Sequence, residues 1–108
     1  MVSDVVVIDD SCFEAEVLQA TEPVLAYFWA PWCGPCRLVS PSVEAIATEY
    51  SERLKVFKFE VDPNPEAVKH CKVEGVPALR LFKAGEVVAE SEGAITKSML
   101  KTFIDKNL

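Results

Sequence analysis

The rhythm of apolar and polar positions changes along the chain, and each change marks an element. Residues 5–8 (Val-Val-Val-Ile) are a β-branched run and read as a short strand. Ser11 and Glu14 have the spacing of a capping box, which predicts a helix over residues 11–19 with Phe13 and Val17 on one face. After a break at Thr21-Glu22-Pro23, residues 24–29 are continuously apolar, as expected of a strand covered on both sides at the centre of a sheet.

From 34 to 50 the period becomes helical. Val39, Val43, Ile46, Ala47 and Tyr50 share one side, and Ser40, Ser42, Glu44 and Glu49 the other, with Pro41 predicted to bend the helix. Residues 54–61 alternate, with Phe57, Phe59 and Val61 against Val56, Lys58 and Glu60, so they form a third strand. Asn64-Pro65-Glu66 combines a cap, a proline at the first position and an acid in the first turn, opening a short helix that ends near Cys71. Residues 77–82 and 87–89, joined through Lys83-Ala84-Gly85-Glu86, read as an antiparallel hairpin. Thr96 caps a last helix with Met99, Leu100, Phe103 and Ile104 as its packing stripe. The order β-α-β-α-β-α-β-β-α predicts an α/β fold: a mixed five-stranded sheet, parallel crossovers plus a hairpin, flanked by four helices.

At 108 residues, half of them hydrophobic, the chain is read as one domain over 1–108 with a core that needs no metal or disulfide staple. Its net charge of −6 leaves no basic face for nucleic acid or anionic lipid. The N-terminus has neither the positive region nor the long apolar run of an export signal, and no stretch is long enough to span a bilayer. A cytoplasmic location is therefore expected. There, four cysteines act as thiols or as a redox pair more readily than as structural bridges.

Two of them, Cys33 and Cys36, bracket Gly34-Pro35 just after the apolar strand, where the next helix begins. Unpaired backbone N–H groups and the positive end of the helix dipole stabilise a thiolate at that position. Cys33 is thus the candidate nucleophile. Cys36, three residues on, projects from the same face within disulfide reach. One thiol opens a target disulfide, and the other resolves the mixed disulfide. Pro35 stiffens the turn, and Trp29, Pro31 and Trp32 predict a flat apolar surface suited to protein targets. A zinc site needs a second spaced pair of ligands, whereas His70 and Cys71 are adjacent, so no metal is assigned.

The segment Phe28-Trp29-Ala30-Pro31-Trp32-Cys33-Gly34-Pro35-Cys36 resembles the active site of the thioredoxin family, and the likeness extends over nearly the whole chain through Asp62-Pro63-Asn64-Pro65, Gly75-Val76-Pro77 and Gly93-Ala94. The resemblance implies a thioredoxin fold, a protein-disulfide reductase that carries electrons to oxidised target proteins, and no bound cofactor beyond the redox disulfide. It implies recycling by a thioredoxin reductase, flavin- or ferredoxin-dependent, and a monomeric state. It also implies a cis Val76-Pro77 bond beside the dithiol. In this pattern the Val76 backbone pairs with a bound substrate strand, and Trp29, Gly75, Pro77, Gly93 and Ala94 complete the docking surface.

The chain departs from the family where most members carry a buried aspartate behind the second cysteine; Tyr27 stands there. A phenol is a poor base at neutral pH. Tyr27 is read either as part of an altered proton path to Cys36, through water or a network including Lys58, or as a core filler. Lys58 is singled out by the resemblance alone; by composition it is a solvated strand residue. Ala78 replaces a threonine common in the family, with a small expected effect on substrate contacts. Cys12 is expected to be an inert core thiol. Cys71 is either a packed side chain or a rim thiol open to oxidation, and His70 is assigned to the surface. Two rival functions share the fold: a disulfide-forming oxidase or isomerase, disfavoured by Gly34-Pro35, and a binding subunit with an idle dithiol.

Overall fold

The computed structural model describes residues 4–108. Its strands are β1 (Val5–Val7), β2 (Val24–Trp29), β3 (Lys55–Glu60), β4 (Ala78–Lys83) and β5 (Glu86–Glu92). The helices are α1 (Asp10–Phe13, prolonged by a π-helical stretch over Glu14–Leu18), α2 (Gly34–Glu49), α3 (Pro65–Cys71) and α4 (Lys97–Asp105). One sheet runs in the order β1-β3-β2-β4-β5. The first three strands are parallel, whereas β4 lies antiparallel to β2 and β5 antiparallel to β4. This is the mixed five-stranded sheet with four helices expected of a thioredoxin fold.

Strand alternation sorts the core into two layers. Leu25, Tyr27, Val56, Leu79 and Leu81 pack with Val39, Val43 and Ile46 of α2 and with Leu100 and Ile104 of α4. Val24, Ala26, Phe28, Phe57, Phe59, Ala78 and Phe82 pack on the other face with Phe13, Val17, Ala67 and Cys71. Every residue of β2 except Trp29 is buried, which matches a strand apolar on both faces at the sheet's centre.

Local details differ from the sequence reading for identifiable reasons. The cap of the first helix lies two residues earlier than the capping-box spacing suggests: Asp9, not Ser11, supplies it by accepting the Ser11 N–H at 2.9 Å. The helix then widens, closing on Gln19 N–H to Glu14 carbonyl at 2.9 Å, while Phe13 and Val17 still face the core. Asn64 sits at the start of α3 but does not cap it. Its amide donates to the Glu60 carbonyl, and the helix's free N–H groups at Glu66 and Ala67 are taken by the carboxylate of Asp10, 3.0 and 2.9 Å away. Met99, expected in the α4 stripe, is 57% exposed, because Leu100 and Ile104 alone reach the core fully. β5 extends to Glu92, past the predicted 87–89, pairing with β4 along its length. Cys12, expected in the core, is only half-buried, since Phe13 beside it takes the inward position.

Candidate active site

β2 delivers the chain to the site. At its end Trp29 and Ala30 lead into a turn, and Cys33 occupies the cap position of α2 with extended backbone, held by its own N–H donating to the Ala30 carbonyl at 3.1 Å. The Cys33 sulfur in turn accepts the Cys36 N–H at 3.2 Å. Cys33 and Cys36 are joined in a disulfide with Cα atoms 5.4 Å apart. Pro35 lies in the first turn, where a missing N–H costs nothing. Gly34 and Pro35 are exposed, the cysteines nearly enclosed (5% and 2% exposed), and Trp29, Val61 and Val76 pack around the pair.

Trp32 is 68% exposed and anchored by its indole N–H donating to Asp62 at 2.8 Å. Trp29, Pro31, Cys33, Cys36, Ser40 and Lys58 line a shallow, open cleft of about 790 Å³. A second groove of about 420 Å³ runs past Trp32, Val61, Gly75 and Val76.

The Val76-Pro77 bond is cis. The Pro77 carbonyl accepts the Gly93 N–H at 2.8 Å, and the Gly75 N–H donates to Glu92 at 3.1 Å, so both sides of Val76 are tied to the end of β5. Among the described residues the Val76 backbone N–H and C=O have no partner. Gly93 takes a positive φ of 100°, and Ala94 follows as an exposed residue.

Behind Cys36, the fully buried Tyr27 hydroxyl lies 2.8 Å from the Ser40 hydroxyl and donates to the Cys36 carbonyl at 3.2 Å. Burial holds this phenol above its ordinary value of 10.0, against the opposing pull of the Ser40 hydrogen bond. Lys58 is Tyr27's neighbour across the β2–β3 pairing, yet its ammonium turns to the face of Trp29, 4.6 Å from the ring centre. Tyr27 and Lys58 are therefore not bonded to each other. Sequence reasoning missed Ser40 as the partner of Tyr27, although it lies one helical turn beyond Cys36. It also missed Asp62 as the anchor of Trp32.

The remaining thiols lie elsewhere. Cys71 is buried in the layer formed by α1 and α3 rather than at the rim, and burial pushes its thiol up to about 12, only partly offset by the charge of Arg80. His70 is exposed, with its ring edge-on to Phe13. Among the described residues no group of three or more His, Cys, Asp or Glu side chains could hold a metal ion, and no helix is long and apolar enough to cross a membrane.

The thioredoxin family model matches residues 4–106. A thioredoxin-like protein of Synechocystis sp. is 58% identical over 101 residues, which cover 94% of this chain and 93% of that protein. A thioredoxin of Acidithiobacillus ferridurans is 46% identical over 94% of both chains. A thioredoxin of Pseudomonas aeruginosa is 42% identical over the full length of both.

Proposed function

We propose, from the premise that this chain belongs to the thioredoxin family and is a thiol–disulfide oxidoreductase working by dithiol–disulfide exchange, a division of labour between its two sulfurs. In the reduced protein Cys33 is the nucleophile. Its thiolate attacks a target disulfide, forming a Cys33–target bond and expelling one target thiolate, which takes up a proton. Cys36 then loses its proton and attacks the Cys33 sulfur, expelling the second target thiolate. Two electrons have passed to the target, and the Cys33–Cys36 disulfide is left behind.

The observation that carries this assignment is the Cys36 N–H directed at the Cys33 sulfur at the cap of α2. A donor already aimed there stabilises a thiolate when the disulfide opens. Trp32, Gly34 and Pro35 shape the attack site. Trp29, Gly75, Val76, Pro77, Gly93 and Ala94 form the docking surface, supported by the unpartnered Val76 backbone. Recycling by a thioredoxin reductase, action as a single-domain monomer, a cytoplasmic location and no cofactor beyond the dithiol complete the proposal. Oxidised protein offered to flavin-dependent and ferredoxin-dependent reductases in turn identifies the donor.

Insulin reduction tests the division of labour. Cys33→Ser abolishes it, whereas Cys36→Ser accumulates a covalent adduct with insulin, visible by mass under non-reducing conditions. An adduct formed by Cys33→Ser instead would reverse the roles, and full activity in both variants would remove the dithiol from the reaction.

A further inference from the structure

Arg80 sits in the middle of β4 and is 2% exposed. Its Nε donates to the Cys71 carbonyl at 2.8 Å, Nη1 to the Leu79 carbonyl at 3.0 Å, and Nη2 to the Lys72 carbonyl at 3.2 Å. The guanidinium thereby closes the carbonyl end of α3, where a cation is favoured. Nη2 also donates to Glu92 Oε2 at 2.6 Å, and Glu90 Oε2 lies 3.4 Å from Nε. The Glu92 carboxylate is shared: Oε2 accepts the Glu74 N–H at 3.3 Å and Oε1 the Gly75 N–H at 3.1 Å. One chain of contacts thus links the end of α3, the middle of β4, the end of β5 and the two residues before Val76.

An arginine is a costly choice for this place. Neighbouring inward positions on β4 hold Ala78 and Phe82, and burying a guanidinium there, with a glutamate partner that stays 32% exposed, carries a desolvation cost that an apolar side chain would not. A hydrocarbon, however, cannot grip two amide N–H groups. The carboxylate can, and the guanidinium holds the carboxylate still. Next in the chain, Gly93 takes the Pro77 carbonyl, so Glu92 and Gly93 bracket Val76 from both sides.

We propose that Arg80 and Glu92 are positioning residues that hold the segment 74–77 in the register in which Val76 receives an extended protein substrate. This rests on the reading of Val76 as a docking residue. The clamp acts on recognition of a polypeptide, not on the sulfur chemistry, so it separates protein disulfides from small ones.

The test mixes pre-reduced protein with excess oxidised insulin and, separately, with a small aromatic disulfide. Glu92→Ala raises the half-saturating insulin concentration about tenfold, as expected for loss of charge-assisted hydrogen bonds, with the limiting rate and the small-disulfide rate unchanged. Amide exchange quickens at Glu74 and Gly75 but not within β4. Glu92→Gln, which keeps one acceptor, falls between. The double change Arg80→Met with Glu92→Leu keeps the fold but not the parent's affinity. Recovery of parent affinity in that double variant, or equal slowing toward both disulfides in Glu92→Ala, overturns the proposal. Val76→Asp separates it from its premise. If Val76→Asp weakens insulin binding and Glu92→Ala does not, the clamp is wrong and the docking residue stands; if neither does, both fall.

Discussion

Tyr27 sets the chemistry behind Cys36 by what it cannot do. Buried, bonded to Ser40 and held above its ordinary value, its phenol keeps its proton throughout the neutral range, so it can relay a hydrogen bond but not act as a base. Lys58, stacked on Trp29, is not joined to it. The proton of Cys36 is expected to leave through the adjoining cleft, which Cys36, Ser40 and Lys58 all line. Tyr27→Asp puts a carboxylate in an apolar wall, where desolvation raises its value. The variant's pH–rate profile for insulin reduction is expected to gain an inflection at about pH 6 to 8 that the parent lacks. An unchanged profile would remove Tyr27 from the proton path and leave it as core volume.

At the scale of elements, most of the architecture was legible. The switch from a both-sides-apolar β2 to a helical period in α2 located the dithiol at a strand-to-helix junction, because burial imposes those periods directly. What escaped were contacts between segments far apart in sequence. Asp10 capping α3 leaves no local signature, since Asn64 already occupies the expected cap position. Arg80 drew no reading from the sequence, and nothing near it there marks Glu92, twelve residues on, as its partner. The π-helical widening after Phe13 also escaped, as a single extra residue per turn scarcely alters a five-residue pattern. The hairpin between β4 and β5 was clearer. Ala84 and Gly85 take positive φ values of 53° and 80°, the geometry of a two-residue turn matched to strand twist. A side chain at Gly85 would also meet the Leu18 carbonyl. Gly85→Ala is therefore expected to cost about 1 to 3 kcal/mol in urea unfolding. A loss below a few tenths would show that the turn relaxes freely.

Across the whole molecule, the dithiol lies at the carboxyl ends of the parallel strands, where the chain leaves the sheet and backbone is open to partners. The fold around it is expected to depend little on the bond it makes and breaks. Cys33 and Cys36 are three residues apart, so their disulfide closes a very small ring and removes little freedom from the unfolded chain. Oxidised and reduced forms are expected to differ in unfolding free energy by no more than about 3 kcal/mol, measured in parallel urea titrations with and without reductant. A much larger gap would mean that the bond organises α2 as well as serving the redox exchange.

The reach of Asp10 to the start of α3 bears on how the molecule comes together. Seven residues are too few to persist as an isolated helix, and the two amides that would otherwise fray are held by a carboxylate more than fifty positions earlier. During synthesis the amides it caps emerge only after about half of the polypeptide has followed it. The first and third helices are therefore expected to become ordered together, on the face of the sheet that they share.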